Sequence, residues 1–291
     1  MRTPYITNIA LLLLILGLYW FINHDSPVIE SNQLSSLSAK HVTTIQIKRL
    51  HRDDIVLQKQ GASWFIQKPI QANANTVRVN LILDLLSSVS YSQLAVEPNL
   101  SLQQFELESA PFKLLINDQQ FEFGSIEPLS KNRYIRHNNI IHLINDNVAP
   151  LLNANAASFI DNRLIANELH ISKISLPAIN DGDTLTSALS ISLDEGHWQS
   201  SSSTLSPDKL SAVIQAWQHA YALQVKPLSK ENIKQAVGQY VSFEFKPHST
   251  LKLLLQFDEQ HISLIDFNKQ LQYQFPLAMK EQFFPIQDSK H

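Results

Sequence analysis

The hydrophobic pattern of this chain changes abruptly near residue 22. Residues 5–22 (YITNIALLLLILGLYWFI) contain no charged side chain, whereas apolar and polar residues alternate in the chain that follows. As a helix this run would be about 27 Å long, close to the thickness of the hydrocarbon core of a bilayer. It ends in bulky residues that include Tyr19 and Trp20, which suit the membrane interface better than a signal-peptidase site. We therefore predict an uncleaved transmembrane signal-anchor at residues 5–22.

A polar segment, residues 23–36, joins the predicted anchor to the body of the protein. Its composition is typical of a flexible tether, with a reach of about 20 Å. Arg2 precedes the apolar run and Asp25 follows it, which favours a cytoplasmic amino terminus. The predicted location is therefore the bacterial inner membrane, crossed once, with the C-terminal body in the periplasm. The absence of cysteine suits that oxidising compartment.

The body opens with alternating strands followed by a helix. Period-two alternation predicts strands at residues 43–49, 55–59 and 64–66, with a turn at Gly61. Asn75 is placed to cap the helix that follows. The apolar stripe of this helix consists of Val79, Ile82, Leu83 and Leu86.

The same order of elements recurs in the second half of the chain. A predicted strand at 189–193, a turn at Gly196 and Trp198 parallel the opening of the body. Ser206 is then a helix cap with Pro207 at the first helical position. The apolar stripe of this second helix consists of Leu210, Val213, Ile214 and Trp217.

The correspondence continues downstream of the two helices. Short Ser-capped helices are predicted at 100–105 and 228–233. The strands predicted next in the first half are 112–116, 120–123, 134–136 and 140–144. Those predicted in the second half are 251–257, 261–265 and 271–275. In this alignment, residues 112–116 correspond to 251–257, and residues 120–123 correspond to 261–265.

These elements predict an α+β fold made of two tandem copies of one unit. Each copy is a mainly antiparallel sheet with helices packed on one face, and one transmembrane helix precedes them. The first repeat domain is predicted at residues 37–165 and a second, diverged repeat domain at 166–291. The six glycines are isolated from one another, which excludes phosphate loops, dinucleotide-binding fingerprints and nucleophile elbows.

Charge and motif spacing exclude further classes of function. The net charge is −3 with no basic block, so no nucleic-acid partner is predicted. The eleven histidines show no metal-ligand spacing, and Asp181-Gly182-Asp183 lacks the later acid of a calcium loop. We predict no metal, no cofactor and no catalytic residue. His137 and His142 are predicted to point to opposite faces of the sheet because they lie five residues apart.

Three segments resemble a bacterial family that is still labelled a domain of unknown function. Residues 123–144 (FGSIEPLSKNRYIRHNNIIHLI) are similar to its FG-x-x-EPL-x-x-x-RY stretch, and residues 64–69 (WFIQKP) to its W-x-I-x-x-P stretch. Residues 159–164 (FIDNRL) resemble its F-x-D-R-R-L pattern. The chain departs from the family pattern at Ser125, where a second glycine is common, and at Asn162, where arginine is frequent.

The resemblance implies a membrane-anchored protein with repeated copies of the unit. Members of the family are often encoded beside gliding-type ABC-transporter subunits, which implies an accessory component of the cell envelope with a transporter permease as partner. The family has no established catalytic residues, so the resemblance implies none here.

The segment that carries the resemblance has two interpretations. Gly124 permits a bend after a strand, Pro128 stiffens an exposed loop, and Tyr134 begins the next strand. Glu127 and Arg133 flank this loop with opposite charges and are expected to pair. The segment is either a structured hairpin or a loop that docks on a partner, and the sequence favours the first.

The sequence is compatible with three hypotheses for the function of the protein. The leading one is a non-enzymatic, membrane-anchored periplasmic accessory protein of an ABC-type transporter or related envelope assembly. The second is a glycan- or lipid-binding module, with Trp64 and Trp198 as a ligand platform, although tryptophans in such positions more often belong to the core. The third is an envelope hydrolase whose groups converge in space, for example Asp161, Arg163 and Glu127.

Overall fold

A computed structural model describes residues 12–15, 33–181, 184–186, 188–202, 205–228 and 238–285. The predicted anchor lies outside these residues except for 12–15, which are helical, and so do residues 23–32 of the predicted tether. Gly182 and Asp183, together with most of the short helix predicted at 228–233, also lie outside them. Within the described part of the chain, no helix is both long and apolar enough to cross a membrane.

The first half of the body forms a nine-stranded sheet in which every pair of neighbours is antiparallel. Its strands are β1 (Thr44–Arg49), β2 (Arg52–Gln60), β3 (Ser63–Lys68), β4 (Ala72–Asn73), β5 (Ser90–Ala95), β6 (Phe112–Ile116), β7 (Gln119–Ile126), β8 (Arg133–His137) and β9 (Ile140–Ile144). Their order across the sheet is β4-β3-β2-β1-β6-β7-β8-β9-β5.

The second half forms an eight-stranded antiparallel sheet and a small two-stranded ribbon. The strands are β10 (His170–Leu176), β11 (Ile179–Asp181), β12 (Thr184–Thr186), β13 (Leu189–Asp194), β14 (His197–Ser200), β15 (Gln224–Pro227), β16 (Gln239–Lys246), β17 (Ser249–Phe257), β18 (His261–Asp266) and β19 (Leu271–Pro276). The order across the sheet is β14-β13-β10-β16-β17-β18-β19-β15, and β11 pairs with β12.

Helices form a small part of the described residues. Among the described residues after residue 15, the α-helices are α1 (Thr76–Asp84), α2 (Ala149–Leu152), α3 (Pro207–Gln218) and α4 (Lys280–Phe283). The single-turn 3₁₀ helices are Ala39–His41, Leu85–Ser87, Leu102–Phe105, Ala156–Phe159 and Leu277–Met279.

The predicted α+β class, with helices packed on one face of each sheet, is therefore wrong. The described structure is mostly antiparallel sheet with few helices. Nine strands spaced about 4.8 Å apart span roughly 40 Å, whereas one helix is only about 10 Å wide. Since α1 packs against β3 and α3 against β10 and β14, each covers only a part of its sheet.

The two sheets share one connectivity. In both, the first strand lies inside the sheet, and a hairpin (β2 and β3, or β13 and β14) extends the sheet to one side. After the helix, five strands extend it to the other side, and the first of these five (β5 or β15) lies at the far edge. By this order β6 is equivalent to β16, so the alignment of residues 112–116 with 251–257 was displaced by one strand. The domain limits 37–165 and 166–291 stay a prediction, and one sheet lies on each side of the boundary.

The local signals of the two longer helices are confirmed. The Asn75 side chain accepts a hydrogen bond from the Arg78 amide, and the Ser206 hydroxyl accepts one from the Lys209 amide. Both predicted apolar stripes are buried. Trp217 is fully buried, stacks on Phe283 with ring centroids 4.1 Å apart and donates from Nε1 to the Phe283 carbonyl at 3.0 Å. The buried residues of both sheets form one continuous core.

Candidate functional site

The segment that joins β7 to β8 is a loop closed by its own backbone. We call residues 126–133 the EPL loop. The Glu127 amide donates to the Asn132 carbonyl at 2.7 Å, and the Lys131 amide donates back to the Glu127 carbonyl at 3.0 Å. Lys131 takes the left-handed conformation, with φ of 63°. These two hydrogen bonds fix the ends of the loop in one geometry.

The Glu127 carboxylate holds the tip of the EPL loop from inside. It accepts hydrogen bonds from the amides of Leu129 at 3.1 Å and Ser130 at 2.6 Å. The Ser130 side chain and these two amides hold the pKa of the Glu127 carboxyl below its ordinary value. The prediction that Glu127 pairs with Arg133 is wrong, because the Glu127 carboxylate binds backbone amides of its own loop.

Arg133 instead fastens the base of the EPL loop to the following helix. Its guanidinium donates to the Asp146 carboxylate and to the Gly124 carbonyl. Asp146 in turn accepts from the amides of Val148 at 3.0 Å and Ala149 at 2.8 Å, at the start of α2. The side chains of Arg133 and Asp146 are 15% and 7% exposed, so this ion pair is largely shielded from water.

Gly124 is required at the base of the loop by a close approach of backbone. A Cβ atom added there would lie 2.2 Å from the carbonyl oxygen of Phe105 and 2.9 Å from Leu107 Cγ. The Phe105 ring also contacts the Tyr134 ring edge-on, with centroids 4.9 Å apart. The sequence predicted glycine here only for a bend after the strand. The structure adds a second reason, because Phe105 and Leu107 occupy the space that a Cβ atom would need.

The tip of the EPL loop presents apolar side chains to solvent. Leu129 is 91% exposed and Ile126 is 49% exposed, while Pro128 between them is also exposed. Leu129 has the highest exposure among the large hydrophobic side chains of the described residues. Neither Leu129 nor Ile126 was among the predicted site residues. The available signal was an apolar residue directly after a proline in a segment that has to turn.

The two tryptophans of the predicted ligand platform lie apart, in different sheets. Trp64 on β3 is 5% exposed and belongs to the core. Trp198 on β14 is half-buried and packs against the same core. Their faces do not form a common open surface.

His137 and His142 lie on the same face of the first sheet, so the prediction of opposite faces is wrong. Asn138 and Asn139 form a two-residue turn with positive φ at both positions, and β8 and β9 pair so that Ile135 is opposite His142. Residues opposite each other in an antiparallel pair share a face, and so do residues two apart in one strand. Counting five residues as though they lay along one strand ignored this turn.

Both histidines are buried, at 4% exposure each. His137 Nδ1 donates to the Gln120 carbonyl at 3.0 Å, and its ring stacks on Phe121. His142 Nδ1 lies 3.1 Å from the Ser90 hydroxyl. Burial, reinforced by the neighbouring His137, lowers the pKa of His142 to about 4.

This burial predicts a loss of stability in mild acid. An unfolded histidine takes up a proton near pH 6.5, whereas folded His142 does so only near pH 4. The unfolded state therefore binds more protons in this window, and the free energy of unfolding falls by about 2 kcal/mol between pH 7 and pH 4.5. In urea titrations at these two pH values, His142→Asn should show a smaller decrease in the free energy of unfolding than the wild-type chain. His197→Asn, at an exposed position of β14, should retain it; equal decreases in both variants would contradict this assignment.

The residues named for a hydrolase are not all brought together. Asp161 and Arg163 form an ion pair at 3.0 Å beside Tyr273, around a cavity of only about 30 Å³. Burial, together with nearby Asp266 and Asp161, raises the pKa of the Tyr273 hydroxyl. Glu127 does not line this cavity. Among the described residues, no group of three His, Asp or Glu side chains is placed to hold a metal ion.

Comparison with known proteins gives one family and no characterised relative. Residues 64–237 match the model of a family described as Domain of unknown function (DUF4340). This match covers more than half of the chain and includes the EPL loop. No curated protein and no solved structure matches the chain.

Proposed function

The chain belongs to the DUF4340 family, and from this premise we propose that it is an accessory protein of the bacterial cell envelope that docks on a membrane-protein partner through the EPL loop. The observation that carries the proposal is the 91% exposure of Leu129 at the tip of a loop braced from several sides. The partner in this proposal is the permease of an ABC-type transporter. The proposed location is the periplasmic face of the inner membrane, with the apolar residues 5–22 as the attachment.

The geometry of the EPL loop favours binding at low entropic cost. An exposed leucine gains about 2 kcal/mol when a partner buries its side chain. A flexible loop loses part of such a gain on ordering, but a preorganised loop does not. The Glu127 carboxylate already holds the amides on both sides of the tip, and Arg133 already holds the base. Leu129 is therefore presented in its binding position before the partner arrives.

The surroundings of Leu129 support a protein partner. Ile126 and Pro128 extend the apolar tip, while Lys131 and Ser130 provide an exposed polar edge. A small apolar centre with a polar rim is the usual composition of a protein–protein contact. Apolar residues 5–22 and the polar segment after them, as read from the sequence, would restrict the search for that partner to the membrane surface.

Co-purification from membranes tests the proposal. The full chain carrying Leu129→Asp should lose at least 90% of a co-purifying integral membrane protein, about a tenfold weakening for the loss of one buried leucine. Leu50→Asp is the matched control, because Leu50 is another exposed leucine, 60% accessible, in the turn after β1. Equal recovery of the partner with both variants would contradict the proposal, and so would recovery of periplasmic proteins alone.

A further inference from the structure

A polar cleft lies where the two sheets meet. It has a volume of about 470 Å³ and is bordered by the start of α1 and by the 3₁₀ helix Ala156–Phe159 from the first half. The second half contributes β15, β19 and the start of β18. The two halves are joined beside it by hydrogen bonds between Asn162 and Ala222 at 2.9 Å, from main chain and side chain. We call this space the inter-sheet cleft.

Arg78 is the one arginine or lysine among the described residues that line the inter-sheet cleft, and no carboxylate lines it. Its side chain is half-buried, yet it forms no ion pair and donates no side-chain hydrogen bond to any described residue. Partly desolvated guanidinium groups are normally paired with an acid or with carbonyl oxygens. The guanidinium donors of Arg78 are therefore available to a ligand in the cleft.

Another cavity, near the turn between β1 and β2, is lined by two arginines that bind backbone carbonyls, although the buried Nε of Arg49 has no partner among the described residues. Arg49 donates to the Ala154 carbonyl at 2.7 Å, and Arg52 donates to the Asn153 carbonyl at 2.9 Å. Both guanidinium groups fasten the first hairpin to the segment around residue 154. They have a structural use that Arg78 lacks, and they serve as its comparison.

The rest of the inter-sheet cleft is rich in amide side chains. Gln224 on β15 and Gln274 on β19 are opposite each other in the ladder and therefore share a face. Neither side chain has a hydrogen-bond partner among the described residues. An amide offers both donors and an acceptor, which matches a ligand with several hydroxyl groups. Beside them Leu223, 63% exposed, contributes an apolar side chain to the wall of the cleft.

We propose that the inter-sheet cleft binds a carboxylate-bearing saccharide. The guanidinium of Arg78 pairs with the sugar carboxylate in a bidentate geometry, and the amides of Gln224 and Gln274 bind its hydroxyl groups. Leu223 packs against the C–H face of the ring. This site is separate from the EPL loop and does not depend on the proposed docking function.

Calorimetric titration of the detergent-solubilised full chain tests the site. The probes are a trimer of uronic acid units and the neutral hexose trimer of the same linkage. We expect the uronate trimer to bind and the neutral trimer to bind at least tenfold more weakly, since it lacks the partner of Arg78. Arg78→Gln should weaken uronate binding at least tenfold, and Gln224→Ala should weaken binding of both trimers without removing the preference for acid.

Two controls keep the interpretation specific. Arg52→Gln, in the neighbouring cavity, should leave uronate binding unchanged, and Leu129→Asp should do the same because the EPL loop is a different surface. Thermal unfolding of each variant shows whether it is folded. The proposal is overturned if the wild-type chain binds no uronate, if it binds both trimers equally, or if Arg52→Gln rather than Arg78→Gln removes binding.

Discussion

Gly124→Ala should destabilise the protein by about 3 kcal/mol, the upper end of the usual cost of overpacking. The new Cβ would lie 2.2 Å from the Phe105 carbonyl oxygen, which is backbone and has little freedom to move aside. The segment behind it is fixed by a hydrogen bond from the Leu107 amide to the Leu102 carbonyl at 3.0 Å. Either the end of β7 or this segment has to shift, and the Arg133 bond to the Gly124 carbonyl is strained with it.

Urea unfolding of the full chain measures this effect against a matched glycine. Gly61→Ala meets no atom within 4 Å of the added Cβ, but its backbone is left-handed, with φ of 60°. It should cost only about 1 kcal/mol, the price of that backbone conformation for alanine. If Gly124→Ala costs no more than Gly61→Ala, the close approach at the base of the EPL loop is not a constraint on the fold.

Arg133→Met should have a comparable or larger effect, about 3 to 5 kcal/mol, which is usual when one member of a buried ion pair is removed. Methionine fills most of the same volume but leaves the Asp146 carboxylate, 7% exposed, without its cation. The Gly124 carbonyl loses a donor at the same time. Asp146 still accepts from the Val148 and Ala149 amides, so α2 should remain formed.

An exposed ion pair in the second sheet provides the control for Arg133→Met. Lys173 and Glu244 lie 3.0 Å apart with side chains 41% and 54% exposed. Lys173→Met should change the free energy of unfolding by less than about 1 kcal/mol, because water replaces such a pair at little cost. Similar losses in both variants would show that Arg133 has no special role. Adding Asp146→Asn to Arg133→Met should recover part of the loss.

Local sequence signals predicted the parts of the fold that local interactions determine. The caps at Asn75 and Ser206 and the stripes behind them depend only on neighbours within a few residues. The strand β10 was missed because its pairing with β16 shifts register between Ile171 and Lys173, which interrupts the alternation of buried and exposed residues. The small number of helices was not predicted, because segments that form only a single helical turn were expected to be helices that cover a face of the sheet.

The candidate site was only partly predictable for the same reason. The sequence located the EPL loop with Pro128, and Gly124 and Tyr134 on either side of it, but it paired Arg133 with the nearest acid in the chain. Arg133 contacts Asp146, thirteen residues away, because the β8–β9 hairpin returns the chain to the same place. Arg78 gave no sequence signal, since its surroundings combine residues far apart in the chain, many of them from the other half of the protein.

Photocrosslinking from position 129 tests the central claim most directly. A photoreactive amino acid replaces Leu129 in the full chain expressed in bacterial cells, and the same amino acid at position 50 is the control. We predict a crosslink from position 129 to one integral membrane protein, identified by mass spectrometry as a transporter permease, and at least tenfold less of it from position 50. Equal capture from both positions, or capture of no membrane protein from position 129, would contradict the assignment of the EPL loop as a docking element.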